Sequence, residues 1–240
     1  MFLHLGAMHV DADVRLRGQF DSQSDNYGYR GDRFDFGDRS VPRIEGGFRF
    51  NRRNRVLFNY FSYQRGRQYQ VDTDIEIDGL PVPVQSEVRA GLRFKLGTLV
   101  YDRALVASQH VDLGLQIGVA WGSVDGRVEA GHGPDKARDR EYRNGFAPVL
   151  GARLALHAAE PGWNLVFQGQ YVNADWGNLR TYQGNLLRAN ALLEYRLAHG
   201  FGLFAGYDAF RLDINRDFGT MTGGLVLRFR GPTAGISLTF

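Results

Sequence analysis

Hydrophobic and polar residues alternate one for one along most of the chain. From Met8 to Phe20 the even positions read Met8, Val10, Ala12, Val14, Leu16, Gly18 and Phe20, and the odd ones His9, Asp11, Asp13, Arg15, Arg17 and Gln19. A helix would scatter Asp11, Val14 and Arg15 around its axis, so the pattern predicts a strand with one apolar and one charged face. The period returns in 87–96, with Val88, Ala90, Leu92, Phe94 and Leu96 opposite Glu87, Arg89, Arg93 and Lys95. It returns again in 111–121, with Val111, Leu113, Leu115, Ile117, Val119 and Trp121 opposite Asp112, Gly114, Gln116, Gly118 and Ala120. Further copies at 44–50, 56–64, 146–156, 163–171, 187–197, 201–209 and 225–229 bring the total to about ten strands, bounded by counts of about eight and twelve.

The connections differ in character. Tight ones at 51–54, 160–162 and 198–200 take turns with longer polar ones at 21–42, 65–85 and 123–144, with a moderate one near 101–110, a medium one at 173–184 and a last loop at 213–221. Transmembrane barrels have this asymmetry, with short turns on one rim and long loops on the other. Within 65–85, Val71, Thr73, Ile75 and Ile77 precede Asp78-Gly79 and then Leu80, Val82 and Val84, which predicts a projecting hairpin with an Asp-Gly turn. Pro81 and Pro83 suit an exposed edge.

Composition then narrows the class. Zero cysteines exclude a disulfide scaffold, a thiolate nucleophile and Cys-ligated metal. Charged residues interrupt every apolar run before about 18 residues, which excludes a membrane helix but leaves a barrel open. The start, Met1-Phe2-Leu3-His4, has no signal-peptide pattern and reads as a mature or a cytosolic form. Of the 29 basic residues all but Lys95 and Lys136 are arginine, spread at two-residue spacing rather than clustered as a nucleic-acid patch would be.

A soluble barrel would put the apolar face inside and the charged one in water. The charged face here mixes signs with many glycines and few lysines, so the apolar face, including Val14, Leu92 and Ile117, is expected toward lipid. The lumen is then lined by Asp11, Asp13, Arg15, Arg17, Arg43, Glu45, Arg49, Glu87, Arg89, Arg93, Lys95, Asp112, Arg153, Arg188, Glu194, Arg196, Asp208, Arg228 and Arg230. Aromatic residues gather near strand ends in two belts, Phe48, Phe50, Trp163, Tyr195, Phe201 and Phe240 at the short-turn rim and Trp121, Tyr171, Tyr182 and Tyr207 at the other.

The chain ends Thr233-Ala-Gly235-Ile-Ser-Leu238-Thr-Phe240. This polar residue, glycine, alternating apolar positions and terminal aromatic resemble the closing signal of bacterial outer-membrane β-barrels. The resemblance implies a single closed, antiparallel, up-and-down transmembrane barrel over 1–240, integral to the outer membrane. It also implies recognition of Thr233, Gly235, Leu238 and Phe240 by the outer-membrane assembly machinery, and contact with outer-membrane lipid and lipopolysaccharide. Leu225, Leu227 and Phe229 are odd whereas Ala234, Ile236 and Leu238 are even, which predicts a bulge or kink at Gly231-Pro232.

Catalytic chemistry is not legible, and the chain reads as a non-enzyme without metal or cofactor. No nucleophile-elbow, zinc-protease, phosphate-loop or dinucleotide motif stands in a suitable context. Ser108 and His110 form a close pair in a short turn and read as turn residues; His9 and His157 read as hydrogen-bonded lumen residues. Asp72, Asp74, Glu76 and Asp78 make a solvated acidic face at plain strand spacing. Arg138, Arg140 and Arg143 lie in a charged loop, with lipid phosphate as the alternative ligand. The expected function is a narrow passive pore for small solutes, weakly anion-preferring, or a structural barrel. A loop-mediated adhesin and a lipid-modifying enzyme are the alternatives.

Overall fold

Ten long strands close into a barrel in the computed structural model, which describes residues 1–22, 25–70, 75–77, 80–82, 87–130, 137–158, 162–173, 183–198, 200–217 and 221–240. The wall runs β1 (Phe2–Ser22), β2 (Asp25–Arg49), β3 (Asn54–Gln70), β6 (Glu87–Ala107), β7 (Val111–Ala130), β8 (Ala137–His157), β9 (Trp163–Asn173), β10 (Gln183–Ala198), β11 (Phe201–Asp217) and β12 (Met221–Thr239). β12 pairs antiparallel with β1 and closes the ring. β4 (Ile75–Ile77) and β5 (Leu80–Val82) form the expected hairpin, with Ile75 opposite Val82 and Ile77 opposite Leu80; its Asp78-Gly79 turn lies outside the described residues.

The strands are longer than the sequence pattern indicates. A membrane strand needs about 9–11 residues, whereas β2 has 25 and β7 has 20. Most of the polar stretch 21–42 is strand, as is 101–107. Gly37, at φ 65°, stands where the β1–β2 register shifts, so β2 bulges there.

The chain divides into two compact units, Met1–Phe61 with Gly97–Trp121 and Gly145–Phe240, and Ser62–Leu96 with Gly122–Asn144. The first has two vertical zones of opposite polarity. In the lower zone Leu113, Leu115 and Ile117 of β7, Leu187 and Leu193 of β10, and Leu203 of β11 face outward, while Asp112, Gln116, Arg188 and Asp208 are buried inside. In the upper zone the arrangement reverses. Met8, Val10 and Ala12 of β1 and Leu227 and Phe229 of β12 are buried, and Asp11 and Arg230 stand outside in an exposed ion pair of 3.1 Å.

Two expectations are corrected. Val14 (7% exposed) is buried, as is Leu92 (6%) in the second unit, whereas Ile117 (60%) is exposed as expected. For Val14 the reason is that where water lies outside the wall, as the exposed Asp11–Arg230 pair marks, an apolar side chain is favoured in the interior; Leu92 is buried in the core of its own unit. The bulge at Gly231-Pro232 is also absent: β12 keeps one register with β11 from Leu238 opposite Phe201 through Gly231 opposite Asp208 to Thr222 opposite Asp217. The apolar residues change face because their surroundings change, not because the strand slips.

In the second unit Tyr63, Leu92, Phe94 and Leu96 are buried, and Arg93 donates to Gln64 (3.0 Å). A cavity of about 150 Å³ is lined by Gln64, Arg65, Arg93, Asp125 and Arg127, among others.

Candidate functional site

The lower lumen is crossed by a polar network with a second cluster around Glu194. Alternate residues of neighbouring strands all point inward there, and closed-barrel geometry brings them within reach across the axis. Arg43 donates to Glu45 (2.7 Å) and pairs with Asp208; Arg188 lies 3.5 Å from Glu45 and 3.4 Å from Asp208. Arg188 also donates to Gln170 (3.3 Å), Gln170 and Gln168 each donate to Gln116 (3.0 Å), and Gln116 donates to Asp102 (3.0 Å). Asp102 holds Arg153 and Arg55, each at 3.0 Å. Both arginines reach Asp112 as well, Arg153 at 3.1 Å, and Arg49 at the lower mouth lies 3.5 Å from it. Glu194 accepts from Asn164 (3.0 Å) and from Ser237, with His4 Nε2 3.7 Å away. These groups come from every strand of the barrel wall.

Directly above, Phe61 stacks on Phe210 with centroids 4.7 Å apart, and Phe229 lies 5.7 Å from Phe61. The Arg188 guanidinium sits 5.4 Å from the Phe210 ring centre, joining the two layers by a cation–π contact.

The sequence-based lumen residues therefore separate. Arg43, Glu45, Asp112, Arg153, Arg188, Glu194 and Asp208 are buried in the network; Arg49 and Arg196 extend half-exposed at its lower mouth. Asp11, Arg15 and Arg228 belong instead to the outer face of the upper zone, and Asp13, on the same row of β1, is buried (4% exposed). Asp11 pairs with Arg230 and Asp13 with Arg15 (3.7 Å), and register places Asp13 opposite Arg228. Arg89, Arg93 and Lys95 alternate with buried Leu92, Phe94 and Leu96 and so occupy the other face of β6. The side chains of Arg17 and Glu87 lie outside the described residues. All of these corrections come from reading one orientation for the whole length of each strand. Arg55, Asp102, Gln116, Gln168 and Gln170 were not anticipated, and neither were His4, Asn164 and Ser237.

The other candidates also find places. The Ser108 hydroxyl bonds both N–H and C=O of Val111 (2.9 Å each) and caps the turn. His157 is half-buried. His9 points outward, not into the lumen, and its ring nitrogens lie 3.2 Å from Ser40 Oγ and 3.2 Å from Asp38 Oδ2. Gly235 faces β1 so closely that a Cβ would stand 2.2 Å from the Leu5 carbonyl oxygen; Thr233 is buried and Phe240 exposed at the rim. Asp72, Asp74, Asp78 and Tyr182 lie outside the described residues, as do the side chains of Glu76, Arg138, Arg140 and Arg143.

Exposed Phe48, Phe50, Trp163, Phe201 and Phe240 ring the lower rim, with Trp163 4.5 Å from Tyr195, and Tyr171 and Tyr207 lie toward the upper one. The structure is similar to the crystal structure of the outer-membrane protease OmpT from Escherichia coli, with TM-score 0.66 and 11% identity, covering 100% of this chain and 96% of that one. The fold is that of a bacterial outer-membrane β-barrel. Weaker matches are Ail, the attachment invasion locus protein of Yersinia pestis (TM-score 0.28, 11% identity, 95% and 98% covered), and the toluene transporter TodX of P. putida (TM-score 0.34, 10% identity, 100% and 90% covered). No protein-family model matches the sequence, and no curated protein matches it. The exterior apolar band between aromatic rims makes this outer-membrane barrel an integral membrane protein.

Proposed function

We propose that this outer-membrane barrel is a sealed structural barrel that passes no solute and works from its outer and extracellular surfaces. The observation that carries the reading is the two-layer closure of the lumen, ionic network below and stacked Phe61, Phe210 and Phe229 above. A permeating ion would have to break buried charge pairs and then cross an apolar layer that dewets.

The buried charges lend no support to an anion-preferring pore. Among the described residues, buried Arg43, Arg55, Arg153 and Arg188 face buried Glu45, Asp102, Asp112, Glu194 and Asp208, so the buried part of the network carries no positive surplus, and Arg49 and Arg196 stand at its mouth. Planar-bilayer recording tests the reading. Silence of the purified protein across a wide voltage range is expected, and discrete conductance steps would overturn it.

A binding role for the strand ends of the second unit is the second reading. It is favoured by the arginine-bearing cavity of the second unit, which suits a phosphate group such as those of lipopolysaccharide. Weakened lipopolysaccharide retention on Arg65→Ala and Arg93→Ala would support it.

A further inference from the structure

We infer that His9, Ser40 and Asp38 form a serine-hydrolase centre on the outer wall, placed to cleave ester-linked acyl chains of outer-leaflet lipid. The imidazole lies between a hydroxyl and a carboxylate, with Nδ1 3.2 Å from Ser40 Oγ and Nε2 3.2 Å from Asp38 Oδ2. An aspartate can only accept, so the ring proton belongs on Nε2, and Nδ1 is left as the base toward the serine hydroxyl. Nucleophile, base and orienting carboxylate stand in the order of a catalytic triad, with the two ring nitrogens exchanged relative to the serine-protease arrangement.

The backbone builds it. Ser40 pairs directly with His9 across β1–β2, and Asp38, two residues away on the same face, stands opposite Asp11. The left-handed Gly37 bulge immediately precedes Asp38, and bulges re-aim side chains beside functional sites. His9 (54% exposed side chain) and Asp38 (72%) are open to the exterior.

Position supplies the substrate class. His9 is eight residues above Met1 on its outward row and Ser40 eight above Phe48. At about 3.3 Å per residue and about 40° tilt this is about 20 Å along the membrane normal, near the top of an apolar band about 25 Å tall. Ala7 and Leu5 of β1 and Pro42 and Ile44 of β2 continue the face downward as a track for acyl chains. Arg230, held on this face by Asp11, offers a cation to an anionic headgroup.

The chemistry closes without a further cofactor. Ser40 Oγ attacks the ester carbonyl carbon while its proton passes to His9 Nδ1. The intermediate expels the lipid alcohol, which takes that proton, leaving an acyl ester on Ser40. Water then attacks with His9 again as base, and collapse releases the free fatty acid and returns the proton to Ser40. Ser40 and His9 are the catalytic residues, and Asp38 is a positioning residue.

The test uses the full chain reconstituted in vesicles of ester phospholipid, with and without lipopolysaccharide, and a fluorophosphonate probe. Labelling of the Ser40 peptide and release of fatty acid are expected, and the vesicle composition that yields the acid identifies the lipid. Ser40→Ala abolishes both, and His9→Gln slows both by about 100-fold or more. Asp38→Asn slows release and Asp38→Glu restores it; an unchanged rate in Asp38→Asn overturns the role of Asp38. Heat-modifiable gel migration confirms that each variant is folded. An unlabelled Ser40 in the wild-type protein, or release undiminished by Ser40→Ala, overturns the proposal.

Discussion

Replacing Asp102 by asparagine removes one negative charge from the middle of the lumen network without changing side-chain volume. Asp102 is fully buried, accepts from Arg153 and Gln116 at 3.0 Å each, and is ion-paired with Arg55 at 3.0 Å. Removing one partner of a buried ion pair costs about 3–5 kcal/mol, because the other charge stays desolvated. Arg55 and Arg153 keep Asp112, which places Asp102→Asn near the lower end, about 3 kcal/mol, or about 100-fold in the folding equilibrium. Urea unfolding in lipid vesicles, followed by tryptophan emission, measures it. Asp11→Asn is the internal control, since the exposed Asp11–Arg230 pair is worth at most about 1 kcal/mol. If Asp102→Asn costs no more than Asp11→Asn, the network is solvated and the lumen is not sealed.

Other expectations follow from particular contacts. Gly235→Ala puts a methyl group 2.2 Å from the Leu5 carbonyl and 2.5 Å from the Gly6 Cα, backbone atoms that cannot turn aside, so the β1–β12 seam opens. A loss of about 1–3 kcal/mol is expected, read as a smaller folded fraction by gel migration. Phe210→Ala removes the ring shared by Phe61 and Arg188 and costs about 3–5 kcal/mol in the same urea assay. For a sealed barrel the variant is expected to stay electrically silent, since the ionic layer beneath is left intact.

The closed barrel was legible because period-two alternation survives every change of surroundings. Which face points inward was legible only where bilayer lies outside, as for Leu113, Leu115 and Ile117. On β1 the apolar residues pass from odd positions (Leu3, Leu5, Ala7) to even ones (Met8, Val10, Ala12), and on β12 from Ala234, Ile236 and Leu238 to Leu227 and Phe229. That exchange of phase without a register shift is the signature of the membrane boundary, and on β12 it reads in the sequence like a bulge. Asp102 escaped because 101–110 reads as a connection, although Thr98, Val100, Asp102 and Ala104 alternate with Leu99, Tyr101, Arg103 and Leu105. The His9, Ser40 and Asp38 cluster escaped because its members are distant in sequence and only the β1–β2 register joins them.

The exchange of faces along one unbroken strand is the claim on which the lumen, the lipid band and the outer-wall site all depend. The chain has no cysteine, so single cysteines carrying a nitroxide can be stepped along β12 from 227 to 238 in lipid vesicles. High oxygen accessibility is expected at 234, 236 and 238, high accessibility to a water-soluble nickel complex at 230, and low accessibility to both at 227 and 229. Oxygen-accessible nitroxides at 227 and 229 would contradict it.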